Sequence, residues 1–259
     1  MNKQTELFTA AVKMAGIAAQ ISQHYFRQAI TINTKAGNSP VTLADCEIER
    51  TLREWLHNHY PEHGIIGEEF ANKQSNSEYT WVIDPIDGTV AFTTGKPVFS
   101  TLIALLKNNQ PIIGIIDQAV IAERFSGVSG ESACLNGQVI KSSSQTELSH
   151  ARLNATTPYM FTTEAENEAF ARLKDQVKLT AWGGDAYAYG LLAAGHIDII
   201  MEAQLQYYDV AALIPIIQMS GGVITDWQGN DLLSNNFKGQ CLASANPKLH
   251  EVVLKIINL

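Results

Sequence analysis

Cysteine is scarce in this chain. Of its 259 residues only Cys46, Cys134 and Cys241 carry a thiol, far apart and odd in number. That pattern excludes a disulfide framework and predicts idle or buried thiols in a reducing, cytoplasmic compartment. Long apolar runs are also missing. The longest candidates, Val98–Leu106 and Pro111–Ile116, are strand-sized, well below the roughly 20 residues of a membrane helix, so no membrane partner is expected. The opening Met1-Asn2-Lys3-Gln4-Thr5-Glu6 has no basic stretch followed by an apolar one, which predicts no secretory signal. Basic clusters are absent as well: 18 Lys and Arg stand against 26 Asp and Glu, for a formal net charge of -8. Nucleic acid is therefore a poor partner, because that binding relies on neutralising phosphates. Repeats, low-complexity tracts and linker-like stretches do not occur. What is present, 46% hydrophobic and 17% charged residues, excludes wholesale disorder. The length suits one large domain or two interlocked halves.

Residues 3–29 read as a helix, since Leu7, Ala11, Met14, Ile17, Ala18, Ile21 and Tyr25 recur at helical spacing. Thr42-Leu43-Ala44-Asp45 fits a capping pattern for a second helix with the stripe Ile48, Leu52, Trp55 and Leu56, ended by Pro61 and Gly64. Strand signals follow at Gly64–Gly67, Thr80–Asp84, Val98–Leu106, Ile112–Asp117 and Ala122–Ser126, predicting a meandering antiparallel sheet backed by the two helices. After about Leu148 helices and strands alternate: helices over Thr163–Lys174, Asp185–Ala194, Asp209–Met219 and from Pro247, with strands at Val177–Thr180, Ile197–Glu202, Val223–Thr225 and Gln240–Ser244. This predicts a layered α/β half. The change of pattern divides the chain into an N-terminal α+β half, residues 1–145, with most of the acidic motifs, and a C-terminal α/β half, residues 146–259, completing the site.

The most informative segment is Trp81-Val82-Ile83-Asp84-Pro85-Ile86-Asp87-Gly88-Thr89. An apolar strand delivers Asp84, Pro85 stops it, Asp87 follows, and Gly88-Thr89 opens a turn. Two carboxylates at a strand end suit hard cations such as Mg²⁺, and turn amides can face an anion. Alone, the segment can also be read as two solvated turns. Gly67-Glu68-Glu69 closes another apolar strand, and Tyr207-Tyr208-Asp209 opens an apolar helix. Singly these could be a surface residue and an N-cap. Three acidic clusters at element ends are harder to explain that way. Lys35 and Asp45 add a charged pair near a helix start.

The ordered set Lys35…Pro40-Val41-Thr42-Leu43-Ala44-Asp45, Gly67-Glu68-Glu69, Asp84-Pro85-Ile86-Asp87-Gly88-Thr89 and Asp209-Val210-Ala211-Ala212 resembles the inositol monophosphatase family. The resemblance implies an αβαβα sandwich and a lithium-sensitive phosphomonoesterase using two to three Mg²⁺ per subunit. It further implies that Glu68, Asp84 and the Ile86 carbonyl hold one ion, that Asp84, Asp87 and Asp209 hold a second, and that a third sits near Glu68. Thr89, hydrogen-bonded to Asp45, would with Glu68 orient the attacking water. The Gly88 and Thr89 amides would cradle the phosphate beside Asp87. The histidines and cysteines need no catalytic role, and a homodimer is implied.

The substrate depends on the second half. Glu202 precedes Asp209 by seven residues, where the family faces the non-phosphate end of the substrate; the alternative is an exposed strand-end Glu. Asp185 stands where inositol phosphatases carry a small apolar residue near the substrate; the alternative is a plain helix cap. If both line the pocket, charge complementarity favours a cationic substrate such as histidinol phosphate. Gly183–Glu202, Ala155–Phe161, Gly95–Phe99 and Tyr208-Asp209 also look like the histidinol-phosphatase branch. Val90 departs from it, standing where that branch has Arg or Lys. The alternatives are an inositol or other sugar or polyol phosphatase and, outside enzymes, a metal-binding regulatory protein.

Overall fold

A computed structural model describes residues 2–28, 32–34, 40–233 and 237–259. Leu7, Ala11, Met14 and Ala18 bury one face of helix α1 (Lys3–Tyr25). The helix stops four residues short of the expected end. Phe26 N–H closes the last turn on Ser22 O, and Arg27 turns left-handed at φ 61; Ala29 lies outside the described residues. Strands β1 (Ile32–Thr34) and β2 (Pro40–Thr42) pair antiparallel. Helix α2 (Leu43–His59) starts where the capping pattern puts it: the Thr42 hydroxyl accepts from Ala44 N–H, and Asp45 reaches back to Thr42 N–H.

The next elements are β3 (Gly64–Gly67), β4 (Tyr79–Asp87), the short helix α3 (Thr89–Thr93), β5 (Ser100–Lys107), β6 (Gln110–Gln118), β7 (Glu123–Val128), β8 (Cys134–Leu135) and β9 (Gln138–Val139). Their strands lie in one sheet in sequence order. The expected meander holds except that β3 and β4 run parallel. Alternation sorts the side chains: Trp81, Ile83, Ile103 and Leu105 pack against α1 and α2, while Val82, Leu102, Ala104 and Leu106 face the other way.

The second half comprises β10 (Arg152–Ala155), α4 (Glu164–Lys174), β11 (Leu179–Trp182), α5 (Asp185–Ala193), β12 (Ile199–Glu202), α6 (Tyr207–Val210), α7 (Leu213–Ser220), β13 (Val223–Thr225), β14 (Cys241–Ser244) and α8 (Pro247–Ile257). Its sheet has the order β11-β10-β12-β14-β13. β10 has no counterpart in the sequence reading: Arg-Leu-Asn-Ala lacks β-branched residues and is ordered by parallel pairing with β11 and β12. The single helix expected over Asp209–Met219 divides into α6 and α7 at Ala211-Ala212.

The layers follow from which faces are apolar. Helices α5 and α7 fill the space between the sheets, against Val82, Leu102, Ile116 and Phe125 on one side and Ile200, Cys241 and Ala243 on the other. Helices α4 and α8 cover the outer face of the second sheet through Phe170, Leu173, Leu249 and Val253. The result is the expected αβαβα sandwich. Contact between layers is close: a Cβ on Gly114 of β6 would lie 2.0 Å from the Ala212 carbonyl before α7. No helix among the described residues is long and apolar enough to cross a membrane.

Candidate active site

Residues three apart on a strand point to opposite faces. Asp84 and Asp87 escape that rule because β4 slips against β5 between them. Asp84 pairs with Leu102 and Asp87 with Ser100, so three steps on β4 answer two on β5. This is a one-residue bulge, and it brings both carboxylates to the same end of the sheet. β4 therefore does not stop at Pro85, as the sequence suggests, but runs to Asp87.

Asp209 completes the group from the second half. Oxygens of Asp84, Asp87 and Asp209 lie within 4.8 Å of one another. Asp209 is the third residue of α6, not its cap: its Oδ2 accepts from Gln206 N–H at 2.6 Å. Asp87 Oδ2 accepts from Ala186 N–H at 2.6 Å, which docks the start of α5 on the first sheet. Asp84 is 2% exposed and its Oδ1 is buried with no hydrogen-bond partner. Burial first, then the charges of Glu68, Asp87 and Asp209, hold the Asp84 carboxyl well above the usual range. Burial, then Asp185 and Asp209, does the same to Asp87. Asp209 is raised to about 7, mainly by burial. Buried carboxylates gathered this closely repel one another. An all-oxygen donor set of this kind, with one buried oxygen left without a partner, fits a hard divalent cation.

Glu68 adjoins the group from the end of β3; its charge acts on Asp84, Asp45 and Asp209. Asp45 is fully buried, with Oδ2 accepting from Thr42 N–H at 2.8 Å and Thr42 Oγ1 at 2.5 Å. Its Oδ1 is buried without a partner, and burial raises its carboxyl. Here one expectation is corrected. The Thr89 hydroxyl donates to Ile86 O at 3.1 Å, not to Asp45. Thr89 is the first residue of α3, three positions past Ile86, so its hydroxyl closes on its own turn while Asp45 Oδ2 serves the α2 cap. The Ile86 carbonyl, the expected metal ligand, keeps a second lone pair for that role. Lys35 lies outside the described residues.

Gly88 caps α3 with φ +83, a conformation that glycine adopts without strain. A Cβ there would also sit 2.9 Å from the Asp185 carboxyl group. Asp185 begins α5 with φ 45. Burial and then the Glu202 charge lift its carboxyl to about 7, against the opposing charge of Lys96. Asp185 thus lies against Gly88, and Lys96, named in the sequence reading only within the Gly95–Phe99 resemblance, is a neighbour whose charge acts on it.

Glu202 is not the exposed strand-end residue that one reading of the sequence allows. It is 2% exposed, and both oxygens are used: Thr156 N–H donates to Oε1 at 2.8 Å and Tyr189 Oη to Oε2 at 3.0 Å. On β12 it shares a face with Ile200, which points at the α5 layer where Tyr189 sits. The carboxylate is therefore a buried neighbour of the site, felt by Asp185 through its charge. Val90 is exposed on α3. A cavity of about 640 Å³ lies elsewhere, lined by Phe8, Val12, Asp117, Arg124 and Cys134.

Fold and site together define a layered α/β protein with a cluster of carboxylates, drawn from β4 and α6, that could hold a metal ion. Comparison with known proteins gives the lineage. The inositol monophosphatase family profile matches residues 3–258. The chain is 44% identical over 222 residues to the chloroplastic bifunctional phosphatase IMPL2 of Arabidopsis thaliana, a match covering 85% of this chain and 64% of that protein. It is 30% identical to the histidinol-phosphatase of Chlorobaculum parvum over 91% of this chain and 90% of the relative. Among solved structures, an inositol monophosphatase from Zymomonas mobilis superposes with a TM-score of 0.90 at 39% identity, covering 100% of both chains. The chain belongs to the inositol monophosphatase family, whose members are hydrolases of phosphate monoesters.

Proposed function

We propose that this chain is a Mg²⁺-dependent phosphomonoesterase whose substrate is a small phosphate ester bearing cationic groups, histidinol phosphate foremost. The observation that carries the reading is the Asp84–Asp87–Asp209 group with its orphaned Asp84 Oδ1. In this reading Asp84, Asp87, Asp209, Glu68 and the Ile86 carbonyl hold two to three Mg²⁺. When bound, Mg²⁺ supplies positive charge to the phosphoryl oxygens and acidifies water.

The protein's own groups do the rest. Gly88 and Thr89 open α3, where helix geometry leaves N–H groups free to bind the phosphoryl oxygens. With its proton committed to Ile86 O, Thr89 Oγ1 presents lone pairs that accept from the attacking water. The Glu68 carboxylate takes one proton of that water as its oxygen bonds to phosphorus. The ester P–O bond on the opposite side breaks, and the leaving alkoxide gains a proton from solvent to become the alcohol. Asp45, buried beside Glu68 with one oxygen unpaired, adds negative charge on the same side. Asp185, against Gly88, faces the alcohol end of the substrate and favours an amine or imidazolium there. Glu202 contributes through its charge and through the Thr156 and Tyr189 bonds that fix this wall.

An inositol or sugar phosphatase is the second reading, favoured by the full-length likeness to the Zymomonas mobilis enzyme and by the inward turn of Glu202. Comparing kcat/KM for histidinol phosphate and inositol 1-phosphate, with and without Mg²⁺, separates the two. Faster turnover of histidinol phosphate supports the first reading, and faster turnover of the polyol ester the second. Release of phosphate from neither ester, nor from a wider panel, in the presence of Mg²⁺ overturns both.

A further inference from the structure

Helix α2 carries a charge where its apolar stripe should continue. Glu49 stands between Ile48 and Leu52 on the helix and is fully buried. A buried carboxylate is costly unless it is paired and hydrogen-bonded. Its partners show what it holds. Arg53 Nε donates to Glu49 Oε1 at 2.7 Å. Glu69 N–H donates to Oε2 at 2.7 Å, and Phe70 N–H reaches Oε1 at 3.3 Å. Arg53 Nη2 also donates to Phe70 O at 3.1 Å, and the Arg50 and Arg53 guanidiniums lie 5.8 and 5.9 Å from the Phe70 ring. On the other side of Glu68, Gly67 presses directly on the same group: a Cβ there would lie 2.0 Å from Glu49 Oε1 and 2.8 Å from Arg53 Nη2. Glu68 is therefore pinned at both flanks. The backbone before it has no room to move toward α2, and the backbone after it is bonded to α2 through two N–H groups.

From this geometry we infer that Glu49 and Arg53 form a clamp that positions Glu68, so that the cation affinity of the site depends on a carboxylate that does not ligate the ion. The clamp also explains why Gly67 is glycine: a side chain would occupy the place of the carboxylate. Asp45 lies one turn earlier on the same helix. Thus α2 sets both the buried acid beside the site and the loop that delivers Glu68. Outer-shell partners of metal ligands typically change affinity about 10–100-fold, and the clamp belongs in that range. The inference rests on Glu68 being a metal ligand, as proposed above.

The test is a calorimetric Mg²⁺ titration of wild type, Glu68→Gln, Glu49→Gln, Arg53→Lys and Gly67→Ala, with a melting curve for each metal-free protein. Glu49→Gln keeps the shape but places an amide before three donors. It should weaken Mg²⁺ binding about 10-fold or more, with kcat recovering at saturating Mg²⁺. Gly67→Ala, acting from the opposite side, should do the same. Arg53→Lys keeps the charge and loses the second bond to Phe70 O, and should cost a few-fold. It carries the test by itself should Glu49→Gln or Gly67→Ala not fold. A lowered melting temperature with unchanged Mg²⁺ affinity in the variants that fold overturns the clamp and leaves a purely structural ion pair. Wild type that takes up no Mg²⁺, or Glu68→Gln that binds as wild type does, overturns the role assigned to Glu68 and not the geometry of the clamp.

Discussion

Asp84 and Glu202 are both carboxylates near strand ends, one in each sheet, and each is 2% exposed. The protein treats them in opposite ways. Glu202 has an N–H on one oxygen and a phenol on the other, whereas Asp84 has a buried oxygen with no partner and three acidic neighbours acting on it. A buried carboxylate supplied with donors is part of the scaffold. One crowded by like charges and left short of a donor fits a cation, which is the role proposed for Asp84. Sequence position alone does not tell the two apart, since both follow apolar strands.

The largest effect expected from this contrast is on activity. Asp84→Asn should lower phosphate release by about 10³-fold, the several kcal/mol that a metal's charge stabilisation is worth. The same change removes a repelled charge, so the metal-free protein should melt no lower than wild type. Asp84→Asn protein that is still active would show that the group is incidental.

Next comes the pH dependence of stability. The carboxyls of Asp209 and Asp185 are raised to about 7 by burial and neighbouring acids. The folded state therefore holds protons that the unfolded state has released above about pH 4. Their contribution to the stability of the metal-free protein is full below pH 4 and is lost as pH rises through 7. Saturating Mg²⁺ should flatten that loss and, at about 100 times its Kd, add about 2.7 kcal/mol. His250, held down to about 4 by burial, has the opposite sign and cancels in the difference between metal-free and loaded protein. Unfolding midpoints from pH 5 to pH 8, with Mg²⁺ or EDTA, would show it; a difference independent of pH would contradict the assignment.

A smaller effect is expected on the satisfied side. Glu202→Ala removes the carboxylate that accepts from the Thr156 N–H and from the buried Tyr189 hydroxyl, which should cost about 1–3 kcal/mol in urea denaturation. Mg²⁺ affinity should change little. A loss of Mg²⁺ binding that matches Asp84→Asn would erase the contrast. Smallest is the specificity wall: Asp185→Ala should reduce kcat/KM for histidinol phosphate about 10-fold relative to inositol 1-phosphate, near the 1.5 kcal/mol of a charged hydrogen bond. Equal losses for both esters would remove Asp185 from substrate recognition.

Much of this was legible from residue order because the signals are local. The Thr42–Asp45 cap needs four consecutive residues, and the strands of the first sheet announce themselves by apolar runs and turns. The acidic motifs marked the residues that meet at the junction of the halves, and the family profile matches the chain that carries them. What stayed hidden depends on partners distant in sequence. The bulge between Asp84 and Asp87 exists only relative to β5. β10 is a strand because β11 and β12 flank it. The inward turn of Glu202 is set by Tyr189 on another element, and the Thr89 hydroxyl chose its own turn over Asp45. Glu49 did leave a local trace, a carboxylate inside the stripe Ile48–Leu52, which reads as a surface charge until Glu69 and Phe70 are found bonded to it.

The central claim is that Asp84, Asp87 and Asp209 form a cation site completed by Mg²⁺. Calorimetric titration of Mg²⁺ into metal-free wild type and Asp84→Asn tests it most directly. The account predicts saturable binding to wild type and its loss in Asp84→Asn, with the variant folded and melting at or above the wild-type temperature. Equal Mg²⁺ affinity in the two proteins would contradict it.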